Sequence, residues 1–325
     1  RYFKKKSFRF DLADADPLPP AYGKKLIPRA EYNDKTHLRN WLALRLLRAS
    51  TMLPTPRSKL VHFRINGRFY GLMHNVERIG KPFLRAWGMS DMGSLYEADP
   101  PLALAIPGGN LSPLSPEAYP MVYQHQAGTI DYTDLRTLIE ETLTLPDPEF
   151  ARIAETEIMV DEYIEYLAAL AAIQDHDQVR KNYYLYRDPS GSAGWRVLPW
   201  DFDLTFGHLW SEENDVLEEK IVTDADIFVG AYDPARGGFY NQLTDRLLRV
   251  SQYRSRFRGL VEHMLDTTIT RPQANMLLQA ALRCATPEIV GDSQKRAGNG
   301  EYQARLTEIL DYLDARLAFV RGLPK

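Results

Sequence analysis

Hydrophobic and polar residues alternate with a period of two in several short runs before residue 120. In the run 3–12, Phe8, Phe10 and Leu12 occupy alternate positions, which predicts a strand with one buried face. Asn66-Gly67 separates two further alternating runs and is a strong signal for a two-residue hairpin turn. The pattern predicts, in chain order, a strand (3–12), a helix (36–50), a hairpin (59–65 and 69–76), a short helix (80–88) and a strand (93–98).

After residue 120 the pattern becomes mainly helical. Residues 99–120, rich in proline and glycine, are interpreted as a loop, and Pro148–Gln174 is predicted to be one long helix. The other predicted elements are a helix (131–143), two strands (183–187 and 195–199), a polar loop (211–237) and helices (239–250, 253–266, 272–284 and 301–320). We therefore predict an α+β protein with a small strand-rich part (1–120) and a mainly helical part (121–325).

Composition indicates a globular protein with a core and excludes few functions. Hydrophobic residues make up 44% and charged residues 26% of the 325 residues. The net charge of −3 gives no sign of bulk nucleic-acid binding. The basic run Lys4-Lys5-Lys6 is explained equally well as a solvated strand end. Cys284 is the single cysteine, so no intrachain disulfide can form.

The residues leave the compartment open. No apolar run approaches the roughly 18 residues of a membrane span, and no signal peptide is visible. The chain begins with Arg1 rather than Met, so we expect that an N-terminal segment was removed, and a targeting segment could have been lost with it.

Acidic residues and one asparagine collect on either side of the strand pair 183–199. Asp177 follows the long helix, Asn182 comes five residues later, and Asp201 and Asp203 follow the second strand. Phosphoryl transfer needs a group that orients or deprotonates the acceptor, and oxygen ligands for a metal that neutralises the phosphates. In a strand, Asp201 and Asp203 point to the same face, so both could approach one Mg²⁺. The combination predicts a phosphotransferase-like site.

Two other interpretations compete with that prediction. The acids could cap a helix end and lie in a polar loop without any catalytic role. Alternatively, His176-Asp177 could be the metal pair of an HD-type phosphohydrolase. That chemistry needs two further histidines upstream, and only His125 lies within about 50 residues before the pair, which disfavours it.

Five segments between the first residues and position 207 carry a family resemblance. They are Lys4–Phe10, His37–Asn40, Ile65–Gly71 with Glu77–Ile79, Asn182–Tyr186 and Pro199–Gly207. The most specific is Pro-Trp-Asp-Phe-Asp-Leu-Thr-Phe-Gly following Asn-Tyr-Tyr-Leu-Tyr. Together they resemble the spore-coat protein H (CotH) kinase family, an atypical protein-kinase-like group, and a weaker match follows through the C-terminal helices.

The resemblance implies a two-lobed kinase-like fold, with residues 1–120 as the nucleotide-binding lobe. It also implies ATP-dependent phosphorylation of a protein substrate with Mg²⁺ or Mn²⁺. By position, Asp177 would be the catalytic-loop acid and Asn182 a metal ligand. Asp201 would be the leading metal aspartate and Asp203 a second ligand or an orienting group, although the choice between these two stays open.

The resemblance further implies a lysine in the early strand that contacts the phosphates. We expect Lys6 in this role, with Lys5 as the next choice. Side chains alternate along a strand, so only one of the two can point into the cleft. Glu77 would be a hinge residue beside the adenine or a partner for a lysine, and a surface carboxylate at the strand end is an equal alternative.

Three features depart from the family pattern. The family pattern places a small Gly/Ser turn before the lysine strand, and the chain begins too late to show it. The helix 36–50 has Arg39 and no glutamate to pair with the strand lysine, as ordinary kinases do. Glu97 occupies a position where many relatives are expected to have lysine. These departures concern nucleotide binding rather than the metal site.

Three functions fit these residues. The first is an active kinase that binds ATP and a protein substrate, with no nucleic acid and no membrane span. The second is a pseudokinase that acts as a scaffold in surface assembly. The third is a nucleotidyl transferase or an Asp-x-Asp glycosyltransferase using the same site. We carry the kinase forward, and the family's association with spore coats and cell surfaces favours an extracytoplasmic location.

Overall fold

A computed structural model of the chain describes residues 4–12, 25–98, 109–175, 181–191, 193–211, 216–228, 230–232, 240–294 and 301–324. Within these ranges the chain folds into small antiparallel sheets and helices. The prediction of a mixed α and β protein is therefore confirmed. The two-lobed arrangement and the division at residue 120 stay predictions.

The predicted hairpin is confirmed and forms most of the first sheet. Strands β4 (Ser58–Ile65) and β5 (Arg68–Val76) are antiparallel. The turn residues Asn66 and Gly67 have φ values of 49° and 77°, as a type I′ turn requires. The short strand β3 (Pro28–Arg29) pairs with the other edge of β5, which makes β5 the central strand.

The N-terminal strand is shorter than predicted. Only β1 (Phe10–Asp11) forms a ladder, with β2 (Lys25–Leu26). The ring of Phe8 lies 5.3 Å from that of Phe63 and 5.5 Å from that of Tyr70, so this segment packs on the hairpin through aromatic side chains. Aromatic packing therefore replaces the ladder that strict alternation predicts.

Helices and a second sheet follow the hairpin. These elements are α1 (Arg39–Ser50), α2 (Lys81–Ala86), β6 (Ser94–Ala98), α3 (Tyr119–Val122), β7 (Tyr123–Ala127), β8 (Tyr183–Arg187) and β9 (Arg196–Pro199). The sheet has the order β7-β6-β8-β9, with antiparallel neighbours, and its β8–β9 pair confirms the strand pair predicted from the sequence. Helix α1 packs against β4.

The single long helix predicted over 148–174 is wrong, because the chain forms two helices there. Helix α5 (Asp147–Glu157) ends at Ile158, which is extended, and α6 (Val160–Ile173) starts again two residues later. Trp195, just before β9, donates its amide to the carbonyl of Glu157 at 2.7 Å and accepts from the amide of Met159 at 2.9 Å. This sheet edge overrides the local helical periodicity. Before α5, α4 (Thr133–Arg136) continues into a π-helical turn (Thr137–Thr142).

The polar loop predicted over 211–237 is also partly wrong. Strands β10 (His208–Ser211) and β11 (Val216–Ile221) form an antiparallel pair there. The sequence of β11 is Val-Leu-Glu-Glu-Lys-Ile, and three consecutive charged residues hide the strand pattern. Strand β11 forms because it pairs with β10, the segment after Gly207, and its own sequence pattern does not reveal it.

The C-terminal part is helical, as predicted. Its helices are α7 (Gln242–Arg249), α8 (Ser251–Thr267), α9 (Arg271–Gly291) and α10 (Tyr302–Gly322). Helix α9 continues beyond the predicted end at residue 284, through Pro287, to Gly291. Helices α8 and α10 pack together, α8 also packs on α6, and α9 contacts both α1 and β5. No helix in the described part of the chain is both long and apolar enough to cross a membrane.

Candidate active site

The candidate site lies where β8 begins and β9 ends. Tyr183 and Pro199 are opposite each other in the antiparallel register. Asn182 therefore enters β8 at the same edge from which Asp201 leaves β9. The sheet thus brings Asn182 next to the segment that carries Asp201 and Asp203.

The backbone adopts unusual conformations at this edge. Asn182 and Asp201 both have a φ of 63°, and Phe206 has a φ of 55°. This left-handed region costs roughly 1–3 kcal/mol for residues other than glycine, and such residues cluster at functional sites. The surroundings hold the conformation, since the amide of Asn182 donates to the carbonyl of Ala98 at 3.1 Å and the ring of Phe206 is fully buried.

An arginine from the first sheet holds Asp201. Arg29 of β3 lies 2.7 Å from Oδ1 of Asp201 and donates to its Oδ2 at 2.8 Å. Burial alone would lower the pKa of Arg29, but the charges of Asp201, Glu31 and Asp203 outweigh it and raise the pKa. Arg29 is therefore a permanent cation beside these acids, and it joins β3 to the segment after β9.

Glu31 is the buried counter-charge of this cluster. Its Oε1 lies 3.4 Å from Nε of Arg29 and 3.4 Å from Nδ1 of His74, and it accepts from Nδ2 of Asn40 at 3.1 Å. Burial alone would raise the pKa of Glu31, but the hydrogen bond with His74 and the charge of Arg29 hold the pKa at about 2. Glu31 is therefore ionised at neutral pH, although it is buried.

Side chains from the start of α1 hold the segment after Asp201. Oδ1 of Asn40 accepts from the amide of Phe202 at 3.4 Å, and Arg39 donates to the carbonyl of Thr205 at 2.6 Å. Nε of Arg39 lies 3.6 Å from Oδ1 of Asp34, so the buried guanidinium has a carboxylate partner. Arg39 therefore helps to position the Asp-x-Asp segment.

The two candidate lysines have opposite environments. Lys5 is buried, and its ammonium donates to Oδ2 of Asp292 at 2.6 Å and to the carbonyl of Leu72. Burial lowers the pKa of Lys5, although the carboxylate of Asp292 opposes that shift. Lys6 is exposed, and its backbone amide donates to the hydroxyl of Tyr70 at 2.7 Å. Lys5 is thus the lysine held inside the fold, whereas Lys6 is the first choice that the resemblance implies for the phosphate contact.

Glu77 and Glu97 both bond to neighbouring side chains. Glu77 is only 4% exposed and accepts from the amide and from Nε of Arg57, both at 3.0 Å. Its partner is an arginine rather than a lysine, and its position beside an adenine stays a prediction. Glu97 accepts from Gln126 at 2.8 Å, and Gln126 accepts from Arg78 at 2.8 Å.

Asp177, the predicted catalytic acid, lies in the stretch 176–180, outside the described residues. Its role therefore stays a prediction. The helix that leads to it is tied to the Asp-x-Asp segment, because the carbonyl of Ile173 accepts from the amide of Phe206 at 2.6 Å. The end of α6 and the segment after Asp203 therefore hold each other in place.

Helix α10 holds the same helix end from the other side. Arg316, fully buried, donates to the carbonyl of Ala171 at 2.9 and 3.1 Å. Tyr312 donates to the carbonyl of Ala172 at 2.9 Å. The last carbonyls of a helix have no intrahelical donor, and these side chains supply one. The C-terminal helix thereby fixes the point from which the chain leaves toward Asp177.

The site has oxygen donors that suit Mg²⁺ or Mn²⁺. Asp201 and Asp203 contribute carboxylates and Asn182 an amide, and magnesium usually combines one or two carboxylates with water and substrate phosphates. The side chain of Asp201 keeps 17% of its surface exposed, so a metal could reach it. Across the described ranges, no group of three or more His, Cys, Asp or Glu residues is placed to hold a metal ion. Water or phosphate oxygens could complete the coordination of a metal held by these residues.

Comparison with models of known protein families shows to which family this chain belongs. The family model "CotH kinase protein" matches residues 1–320. The chain belongs to the CotH kinase family. The resemblance seen in the sequence is thereby confirmed over almost the whole chain.

This CotH-family chain is similar to one curated protein and to one solved structure, to different degrees. It is similar to inner spore coat protein H of Bacillus subtilis (strain 168), with 24% identity over 323 residues, covering 99% of this chain and 83% of that protein. It is also similar to a chain in the complex of the toxin–antitoxin system HipA and HipB of Shewanella oneidensis MR-1 with operator DNA. That match has a TM-score of 0.44 and 14% identity, and it covers 91% of this chain and 59% of the other.

Three charged residues of the CotH-family site escaped the sequence analysis. Arg29 and Glu31 belong to a stretch whose strand, β3, has two residues, too short for periodicity to reveal. Asp292 lies after a helix that was predicted to end earlier. A buried lysine requires an acidic partner, so the sequence could have indicated that Lys5 needs one. It could not have indicated which acid fills that role.

A separate cavity of about 500 Å³ lies at the opposite end of β8 from Asn182. It is lined by Ser94, Asp134, Arg187 and Asp188, among others, and Ser94 and Arg187 are paired across β6 and β8. Its polar walls already have protein partners: Asp134 accepts from the hydroxyl of Tyr96 at 2.6 Å. We assign this cavity no part in the site of the CotH-family chain.

Proposed function

We propose that this chain is an ATP-dependent protein kinase that transfers the γ-phosphate to a hydroxyl group of a protein side chain. One observation carries the proposal: the β8–β9 register brings Asn182 next to Asp201 and Asp203, and the cation Arg29 lies against Asp201. Membership of a family described as kinases supports the same reaction class. Asp177 would act as the acid or base for the acceptor hydroxyl.

The cations of the site support this reaction class. Phosphoryl transfer depends mainly on positioning and on neutralising the charge of the phosphates. Of the two candidate lysines, Lys6 is exposed and could reach a phosphate group, whereas the ammonium of Lys5 is buried against Asp292 at 2.6 Å. Lys6 therefore remains the first choice for the phosphate contact in this proposal.

Asn182, Asp201 and Asp203 would hold the metal that accompanies ATP. A bound Mg²⁺ or Mn²⁺ supplies neutralisation of the phosphate oxygens. Asp201 has the left-handed backbone and the arginine partner, whereas Asp203 is half-buried. Separate Asp201→Asn and Asp203→Asn variants would decide which of them is the principal ligand.

Transfer of a labelled phosphate tests the proposal. The protein is incubated with Mn²⁺, with casein as a general hydroxyl-bearing acceptor, and with ATP labelled at either the α- or the γ-phosphate. We expect label to be incorporated into protein from the γ position only. Asp177→Asn and Asp201→Asn should each reduce the rate by about 100-fold or more, because general acid–base and electrostatic contributions have that size.

The control is Arg271→Gln, which removes an exposed ion pair with Asp311 and should leave the rate unchanged. Incorporation of the α label would indicate nucleotidyl transfer instead. Sugar incorporation in a parallel reaction with labelled UDP-glucose would indicate a glycosyltransferase. No label from γ-labelled ATP, in either casein or the chain itself, would overturn the kinase proposal.

One observation favours a non-catalytic scaffold as the second candidate. Asp201 is already neutralised by Arg29, with contacts to both carboxylate oxygens, and a metal would have to share that carboxylate. A scaffold would show no transfer in any of these reactions, and Arg29→Gln would restore none. Recovery of metal-dependent transfer in Arg29→Gln would instead identify the arginine as an inhibitory contact.

The location follows from the relative rather than from the site. The similar protein of Bacillus subtilis is described as an inner spore coat protein. We propose a spore or cell-surface location for this chain, with a coat or surface protein as its substrate. Fractionation of the organism that produces it, followed by detection with an antibody, would test that location.

A further inference from the structure

Two arginines near the end of α1 lie on tryptophan rings. The guanidinium carbon of Arg45 is 4.4 Å from the centroid of the Trp41 ring, and that of Arg48 is 5.3 Å from the centroid of the Trp87 ring. Trp41, Arg45 and Arg48 are spaced four and three residues apart, so they share one face of the helix. Both arginines are exposed, and a ligand can reach them from solvent.

The fold fixes the two rings on which these arginines lie. Trp41 is a core residue with only 6% of its surface exposed. Trp87 follows α2, and its amide donates to the carbonyls of Phe83 and Leu84 at 3.1 Å each. Its ring also lies 6.2 Å from that of the fully buried Phe83. A guanidinium group stacked on a fixed ring is already oriented, so it loses less freedom when it binds a ligand.

Among the described residues, no carboxylate forms an ion pair with Arg45 or Arg48. Helix α1 has no acidic residue in its sequence. Two acids of neighbouring segments are bonded elsewhere. Glu165 of α6 accepts from the amide of Met52 at 3.0 Å, and Asp91 pairs with Arg85. The two guanidinium groups therefore present a double positive charge without an acidic partner from the described part of the chain.

The two arginines also affect each other. Burial and the charge of Arg48 lower the pKa of Arg45, and both causes act against the cation. A bound anion would remove this repulsion. A phosphate group esterified to a side chain carries a charge of roughly −1.5 to −2 at neutral pH, which matches two guanidinium groups. A carboxylate carries a single charge and would balance only one of them. The planar guanidinium fork also suits the bidentate recognition of phosphate oxygens.

We propose that Arg45 and Arg48 form a docking site for a phosphorylated side chain of a protein. The site is exposed, so it offers a free phosphate ion few contacts beyond the two forks. A phosphate on a protein chain adds the contacts of its neighbours, for which Met52, 80% exposed just after α1, is available.

The position of this site connects it with the candidate active site. The start of α1 holds the segment after Asp201 through Asn40, and Arg48 lies roughly 12 Å farther along the helix. A protein that already carries one phosphate would thus be retained near the residues that transfer the next. The assignment of the bound phosphoprotein as the product of this chain rests on the proposed kinase function, whereas the docking site itself does not.

Calorimetric titration without ATP or metal tests the docking site. The probes are a synthetic peptide with one phosphoserine, the same peptide with serine, and inorganic phosphate. We expect the phosphopeptide to bind about tenfold or more tightly than the serine peptide and than inorganic phosphate, because hydrogen bonds between charged groups are worth that much. Raising the NaCl concentration should reduce this preference, since the site is exposed.

Variants locate the binding. Arg45→Gln and Arg48→Gln should each reduce the preference for the phosphopeptide, and the double variant should bind the phosphopeptide and the serine peptide equally. The matched control is Arg254→Gln, which removes another exposed arginine that lies on an aromatic ring, 4.1 Å from that of Phe228. It should keep the wild-type preference. Circular dichroism verifies that each variant is folded at the temperature of the titration.

Three results would overturn the docking site. They are equal binding of the two peptides by the wild type, an unchanged preference in the folded double variant, and tighter binding of inorganic phosphate than of the phosphopeptide. Transfer from γ-labelled ATP is measured in parallel. Transfer without a preference for the phosphopeptide would overturn the docking site and leave the kinase proposal. A preference that depends on both arginines, without transfer, would overturn the kinase proposal and leave the docking site.

Discussion

Among single residues, Glu31 is a buried carboxylate of the site whose ionisation also contributes to the stability of the fold. Its folded pKa of about 2 lies below the ordinary value of 4.5. A carboxyl group with a lowered folded pKa stabilises the protein above its unfolded pKa. That stability is lost as the pH falls through the window from about 4.5 to about 2.

Glu31→Gln should therefore change the acid side of the stability profile. At pH 7 we expect the variant to be less stable by roughly 2–3 kcal/mol, because a buried charge network loses its central carboxylate. Between pH 4.5 and 2 the wild type should lose stability more steeply than the variant, and the two should converge below that window. Urea unfolding at a series of pH values measures both effects. Parallel profiles over the whole range would contradict the assignment.

The lysines show how far residue-level sequence reasoning reaches. The sequence predicts different environments for Lys5 and Lys6, and Lys5 is buried while Lys6 is exposed, although neither lies in a strand. The sequence does not say which of them is buried, because that depends on Asp292, which lies at the other end of the chain. Arg29 and Glu31 show the same limit, since their partners His74, Asn40 and Asp201 come from three other segments.

Among the elements, the break between α5 and α6 is decided by packing rather than by local sequence. A Cβ atom on Gly194 would lie 2.5 Å from both the carbonyl carbon of Glu157 and the nitrogen of Ile158. The contact places the strand end against the extended residue between the two helices. Helical periodicity continues through this point, and therefore the sequence predicts one helix.

Gly194→Ala should be destabilising because the atoms it meets belong to the backbone and cannot rotate away. We expect a loss of about 2–3 kcal/mol in the free energy of unfolding. Gly259→Ala is the matched control, since it lies in the interior of α8 with no atom within 4 Å of the new Cβ. It should stabilise by about 0.5–1 kcal/mol. Equal effects of the two substitutions in urea unfolding would contradict this explanation of the break.

Other elements were accessible from the sequence. The turn Asn66-Gly67 and the tyrosine-rich strand after Asn182 have local signals that agree with their packing, and both hairpins form where they were predicted. Helix α9 is longer than predicted because Pro287 is accommodated inside it, although proline usually ends a helix. That extension places Asp292 beside Lys5.

At the scale of the whole molecule, the site is assembled from distant parts of the chain. The segment with Asp201 and Asp203 is held by α1 and β3 from the N-terminal part and by the end of α6. Helices α9 and α10 contribute Asp292 and Arg316, respectively, to the support of Lys5 and α6. The local motifs predicted the acids, whereas their support required the three-dimensional fold.

Metal binding in the presence of nucleotide tests the central claim most directly. Binding of Mn²⁺ together with a non-hydrolysable ATP analogue is followed by electron paramagnetic resonance, with Asp311→Asn, which alters an exposed ion pair, as the control. The account predicts that Asp201→Asn weakens Mn²⁺ binding by about tenfold or more, since even groups outside the ligand shell can contribute that much. The control should bind Mn²⁺ like the wild type. Equal Mn²⁺ affinity in the wild type and Asp201→Asn would contradict the assignment of this edge as the metal–nucleotide site.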